Sequence, residues 1–111
     1  MDSSAQDQLL TCLFGAFPEF KAVWLAERAG DPYPSSSLHS VYQSFLPYVS
    51  GANASPEQLQ RLAALVNGAV SAGGDAENAV STCFLEHLGQ VGMLSTLRPL
   101  LSQQARSRLH P

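Results

Sequence analysis

The segment from Asp75 to Leu88 carries apolar residues at the spacing of an α-helix. On a helical wheel of about 3.6 residues per turn, Leu85 points away from the main apolar face, and His87 lies near the middle of that face. That face comprises Ala76, Ala79, Val80, Cys83, Phe84, Leu88 and Val91. A helix that is apolar on two sides is usually packed by neighbours on both flanks. The segment therefore predicts the central helix of an all-α domain, with Asp75 as its N-cap.

The rest of the chain shows the same helical periodicity and lacks the alternation that is typical of half-buried strands. The first of the other expected helices runs from Ser3 or Ser4 to about Phe14, and the second from Pro18 to a C-cap at Gly30. The third runs from Leu38 to Val49, with Pro47 as a kink or early end. The fourth begins with a capping box of Ser55 and Gln58 and has Pro56 in its first turn, and the last runs from about Ser95 to Leu109. Five or six helices with short loops predict one domain, 1–111, packed as an antiparallel compact bundle or a short HEAT-like array.

Charge separates the body of the chain from its end. The formal net charge is −3, and residues 1–97 hold all nine acids. Residues 98–111 contain three arginines and no acid. Because nucleic-acid binding requires positive charge to displace counterions, an acidic body argues against a nucleic-acid partner and is compatible with a basic protein partner. No membrane span or secretory signal is visible, so the expected compartment is the cytoplasm.

The cysteines and histidines offer little catalytic or metal chemistry. Cys12 and Cys83 each fall on an apolar helix face and are expected to be reduced and buried, although a disulfide remains open if their helices cross closely. Cys83 and His87, four residues apart, are the only suggestive pair, and a structural zinc site needs four ligands. We therefore expect no cofactor, no bound metal, no small-molecule substrate and no enzymatic activity.

Two segments resemble a family of small bacterial helical immunity proteins whose genes often lie beside polymorphic toxins. The first is the acidic start, the Asn-Ala-Val and the Phe-Leu-Glu-His-Leu of 75–88. The second is Leu-Arg-Pro-Leu-Leu at 97–101 with Ala-Arg at 105–106, where the family usually has a Leu-Gly-Pro-x-Ser-Arg turn. The resemblance covers roughly residues 56–109. The second segment departs from the usual family turn, so the resemblance does not define the geometry of the C-terminal tail.

The resemblance implies an immunity protein that binds and neutralises one cognate toxin effector domain in the cytoplasm by direct contact. Many toxin domains are basic, so an acidic inhibitor would gain association rate and specificity. The residues expected to contact the toxin are acidic or aromatic: Glu27, Asp31, Tyr33, Glu57, Asp75, Glu77 and Glu86. Two alternatives remain open, a helical adaptor or regulator with no toxin partner and a small metal or redox protein that uses cysteine and histidine.

Overall fold

The computed structural model describes residues 2–30 and 37–109, and over these ranges every regular element is helical. The expected all-α fold class is confirmed. The α-helices are α1 (Asp2–Ala16), α2 (Phe20–Arg28), α3 (Leu38–Gly51), α4 (Pro56–Ala72), α5 (Gly74–Cys83), α6 (Leu94–Leu97) and α7 (Gln103–Arg106). Two 3₁₀ turns, Leu85–His87 and Arg98–Leu100, lie between the last of them. The described part therefore contains more helices than the five or six expected from the sequence, and the last ones are short.

Helix α5 is central, because it packs against both α3 and α4. It is shorter than the sequence predicts. It ends at Cys83, and Phe84 leaves helical geometry with φ −130° and ψ −66°. A continuous helix would point Leu85 away from Phe84, whereas the break buries both side chains completely. The expected single helix over 75–88 is therefore wrong, and the gain in buried apolar surface is the physical reason.

The start of α5 also differs from the prediction. Gly73 occupies the N-cap with φ +73°, a left-handed conformation that favours glycine, and no side chain caps the helix. Gly74 is the first helical residue, so Asp75 lies inside the first turn. Asp75 is therefore not the N-cap, although its carboxylate still lies near the positive end of the helix dipole.

Several other helix boundaries differ from the prediction. Helix α1 already contains Ser3 and Ser4, so it begins before the predicted cap positions, and it runs past Gly15 to Ala16. Pro18 lies in a turn before α2 rather than at its first position. Helix α3 continues through Pro47 to Gly51 instead of ending there. The predicted helix 95–109 is divided into α6, a 3₁₀ turn and α7, since Pro99 removes one backbone donor.

One predicted helix start is confirmed. Ser55 and Gln58 form the capping box of α4 with Pro56 in the first turn. The predicted C-cap of α2 at Gly30 is wrong, because the cap is Ala29, whose extended backbone ends the helix one residue earlier. A second capping box, formed by Ser37 and Ser40 at α3, was not predicted.

The core is organised around Phe45 of α3, whose ring is fully buried. It lies 5.2 Å from the ring centroid of Phe17, 5.0 Å from that of Phe20 and 6.1 Å from that of Phe84. Edge-on contacts of this kind add to the stabilisation that burial provides. One aromatic cluster therefore joins the α1–α2 turn, α2, α3 and the end of α5.

The C-terminal segment is fixed to the helical body by hydrogen bonds. The side chain of Asn67 on α4 accepts from the backbone N–H of Ser102 at 2.8 Å. Arg108 forms a short ion pair with Glu77 on α5. The radius of gyration, 13.3 Å, is that of a compact chain of this length, about 13 Å for 100 residues.

Candidate functional site

The selected acidic residues that the structure describes are spread over three helices and a 3₁₀ turn, and only Asp75 and Glu77 share a helix. Glu27 is in the last turn of α2, exposed, with its carboxylate 3.3 Å from Nη1 of Arg28. Glu57 is in the first turn of α4 and pairs with Arg61 at 3.2 Å. Glu77, in the first turn of α5, is half-buried beside Arg108. Each of these carboxylates therefore has an arginine neighbour that offsets its charge.

Glu57 lies in the first turn of α4, and Asp75 follows the opposite end of that helix. The helix has 17 residues, so it separates them by about 25 Å. Asp75 is exposed, and Glu86 is half-buried in the 3₁₀ turn after α5. Asp31 and Tyr33, the other two selected residues, lie outside the described residues. The described acids thus do not all belong to one compact patch.

The outer side of α2 presents an apolar strip that sequence reasoning missed. Ala22, Leu25, Ala26 and Ala29 recur at the i, i+3, i+4, i+7 spacing of one helix face, and all are exposed. Leu25 is 57% exposed, the most of any large apolar side chain in the described ranges. We call these four residues the α2 strip. Its helical spacing was visible in the sequence, but only tertiary packing determines which side of α2 faces the core.

The inner side of α2 holds the strip in place. Phe20 and Trp24 are buried, and the guanidinium of Arg28 stacks on the Trp24 indole. Arg28 also donates to the hydroxyl of Ser44 on α3 at 3.3 Å. A surface on a helix that is fixed in this way needs little ordering when it binds a partner.

A second group of polar side chains lies where α3 meets the end of α5. Nδ1 of His39 is 3.1 Å from Sγ of Cys83, and Nε2 of His39 is 3.5 Å from the amide nitrogen of Asn78. The Gln43 amide nitrogen approaches the same sulfur at 3.7 Å. The partner of Cys83 is thus His39 rather than His87, which instead contacts Gln90 at 3.1 Å. We call Cys83, His39, Asn78 and Gln43 the thiol cluster.

The sequence spacing of these four residues does not predict that they form one cluster. His39 and Gln43 are four residues apart on α3, while Asn78 and Cys83 are five apart on α5. Neither pair is distinctive within its own helix, and the contact between the two pairs joins residues that are 44 positions apart. The packing of α3 on α5 alone brings them together.

The two thiols have different surroundings. Both cysteines are free; Cys83 is buried, whereas Cys12 is exposed. The expectation that both are buried is therefore wrong for Cys12, because its side of α1 borders surface clefts instead of core. Among the described residues that line these clefts, of about 310 and 220 Å³, only Arg61 is charged. They bring no acid and base together, as an acid–base site would require.

Comparison with known proteins gives no relative to guide an assignment. No protein family model, curated protein or solved structure matches the chain. Across residues 2–30 and 37–109, no helix is both long and apolar enough to cross a bilayer, and no three metal-ligating side chains converge. Functional inference therefore rests on the α2 strip, the acids and the thiol cluster.

Proposed function

We propose that this protein is an immunity protein that binds a cognate bacterial toxin domain in the cytoplasm and neutralises it by direct contact. The observation that carries the proposal is the α2 strip, an apolar helix face without cover from the rest of the described chain. An amphipathic helix that lays such a face into a groove is a recurrent mode of protein recognition. The resemblance of 75–88 to immunity proteins supplies the class of partner.

The acidic charge beside the α2 strip and over the whole chain indicates the charge of the partner. Glu27 borders it, and its side chain is 45% exposed. The overall charge of −3 favours a basic partner through long-range attraction. The partner we propose is therefore a basic toxin domain with an apolar groove, in which the strip supplies contact area and carboxylates supply association rate.

The remaining helices support α2 as a scaffold. We propose that α3, α4 and α5 run antiparallel to their neighbours, as in a short helical array. In that arrangement α3 would brace α2 through the Arg28 contact with Ser44. The toxin would then meet a rigid surface, and dissociation would be slow for a small interface.

A growth-rescue experiment tests the proposal. The product of the adjacent upstream gene, or its C-terminal domain, is expressed with and without this protein, and co-purification is measured. We expect rescue together with a one-to-one complex. Toxicity that persists without any complex would favour the alternative of a helical adaptor that has no toxin partner.

Point variants locate the interface. Leu25→Asp should weaken toxin binding by at least ~10-fold, as expected for a central contact residue. Leu100→Asp is the matched control, since Leu100 is the other exposed large apolar residue in the described ranges, at 37%, and lies in the C-terminal segment. Equal effects of the two variants would remove the α2 strip from the proposal.

Charge reversal tests the acidic contribution separately. Lysine is placed in turn at the acidic positions selected from the sequence: Glu27, Asp31, Glu57, Asp75, Glu77 and Glu86. Reversals that contribute should slow association, with a loss that shrinks at high salt. If every reversal leaves the affinity unchanged, the acidic part of the proposal is wrong, whatever Leu25→Asp shows.

A further inference from the structure

The thiol cluster contains the parts of an activated nucleophile. A nucleophile, a base within hydrogen-bonding reach and a third group that orients the base form the general arrangement. Here Sγ of Cys83 lies 3.1 Å from Nδ1 of His39, and the opposite ring nitrogen, Nε2, faces the Asn78 amide at 3.5 Å. The imidazole thus lies between thiol and amide, with one ring nitrogen directed to each.

The amide can orient the ring in the charged form of the pair. To take the thiol proton, Nδ1 must be unprotonated, so Nε2 carries a hydrogen both before and after the transfer and requires an acceptor. A half-turn of the Asn78 amide supplies its oxygen. The Thr82 hydroxyl, 3.4 Å from the Asn78 oxygen, donates in one orientation of the amide and accepts in the other. The neighbourhood therefore tolerates both states of the imidazole.

One further contact can stabilise a negative charge on the sulfur. The Gln43 amide nitrogen donates towards Sγ at 3.7 Å. The end of α5 opposes such a charge, because Cys83 is its last residue and lies at the negative end of that helix dipole. Any activation must therefore come from His39 and Gln43.

We propose that Cys83 is the reactive thiol of this protein and forms a mixed disulfide with low-molecular-weight disulfides. His39 takes the proton of the Cys83 thiol through Nδ1. The thiolate attacks one sulfur of the disulfide R–S–S–R, whose S–S bond breaks as the Cys83–S–S–R bond forms. The departing R–S⁻ takes the proton from His39 and leaves as R–SH. The disulfide R–S–S–R is the oxidant, since one of its sulfurs leaves as the reduced thiol R–SH while the other joins Cys83.

The size of the site limits the reagent. Cys83 is only 8% exposed, beneath the side chains of His39 and Gln43. Because Gln43 is exposed and contacts the sulfur, its displacement would widen the approach, and this favours a small disulfide over a protein disulfide. The proposal is independent of the toxin-binding function, since none of these residues belongs to the α2 strip.

Cys12 provides an internal reference for the test. The reduced protein is incubated with oxidised glutathione, and the two cysteine peptides are quantified over time by mass spectrometry. If exposure alone governed reactivity, Cys12 would react first, because it is exposed and Cys83 is buried. We expect Cys83 to be modified faster. A faster reaction of Cys12 would overturn the proposal.

Variants separate activation from simple shielding. His39→Gln should slow modification of Cys83 by roughly 100-fold, the lower range of a general-base contribution, and leave Cys12 unchanged. Asn78→Ala should also slow it, and Asn78→Asp should restore the rate because a carboxylate holds the imidazolium equally well. If His39→Gln leaves the Cys83 rate unchanged or raises it, His39 only covers the sulfur and the proposal fails.

Discussion

The guanidinium of Arg28 lies over the indole of Trp24, with its Cζ atom 3.3 Å from the ring centroid. The Arg28 side chain is 21% exposed, so this cation–π contact is partly shielded from water. We expect Arg28→Ala to lower the free energy of unfolding by about 1–2 kcal/mol, measured by urea denaturation. Arg61→Ala, which removes only an exposed ion pair with Glu57, should cost at most about 0.5 kcal/mol. Equal losses would show that the stacking contributes nothing beyond an ion pair.

Gln58 joins two helix ends. Its side-chain oxygen accepts from the backbone N–H of Ser55 at 2.9 Å, and its amide nitrogen donates to the carbonyl of Ala16 at the end of α1, also at 2.9 Å. Gln58→Ala should therefore destabilise the protein by about 1–2 kcal/mol. Gln60→Ala, on the exposed side of the same helix, should change stability by less than about 0.5 kcal/mol. A neutral Gln58→Ala would mean that water replaces both hydrogen bonds without loss.

Phe45 should be among the most sensitive positions of the core rings, since it contacts four other aromatic residues and has no exposed surface. Phe45→Ala should cost about 3–5 kcal/mol, a large share of the stability of a small domain. Chemical denaturation followed by Trp24 fluorescence measures the loss. Leu25→Ala serves as the contrast: because Leu25 faces solvent, its truncation should cost less than about 0.5 kcal/mol.

Tyr42 should make the protein sensitive to alkali. Burial, and secondarily the neighbouring Cys12, raises the pKa of the Tyr42 hydroxyl well above its ordinary range. Because the folded-state pKa exceeds the unfolded-state pKa, the stabilisation is complete below about pH 10 and declines as the pH rises above that value. The denaturant concentration at the unfolding midpoint should therefore decrease as the pH is raised from about 9 to about 11.

Tyr42→Phe tests the assignment of this alkaline effect. The variant should keep more of its neutral-pH stability at about pH 11, because it has no hydroxyl to ionise. Tyr48→Phe is the comparison, since burial, followed by the effect of Glu19, also raises the pKa of Tyr48. Tyr48 is only half-buried, so we expect a weaker effect there. An unchanged alkaline decline in Tyr42→Phe would assign it to other groups.

Helix starts and stops were predicted best where a local rule is complete within a few residues. The Ser55–Pro56–Gln58 start of α4 satisfies its own backbone donors, so its geometry follows from sequence alone. Asp75 is not the N-cap because the two glycines before it adopt left-handed backbone conformations, so the turn into α5 forms at Gly73. Pro47 failed as a stop because the surrounding side chains of α3 are buried and hold the helix together across the missing hydrogen bond.

The candidate sites were less predictable than the helices. The seven residues selected for toxin contact remain predictions, and those in the described ranges are spread over four elements, with only Asp75 and Glu77 on the same one. Leu25 was missed because an exposed leucine and a buried one have the same helical spacing. His39 was missed because a ligand or base is recognised by its partner, and its partner is 44 residues away.

Sequence by itself determined that this chain is helical and where α4 begins, because helix periodicity and capping act within a few residues of the backbone. Tertiary structure alone decided that α5 ends at Cys83, that Leu85 joins the core and that His39 meets the Cys83 thiol. These outcomes depend on which helices pack together. Burial of apolar surface between distant segments sets that choice, and it outweighs the modest preference of any one residue for its local conformation.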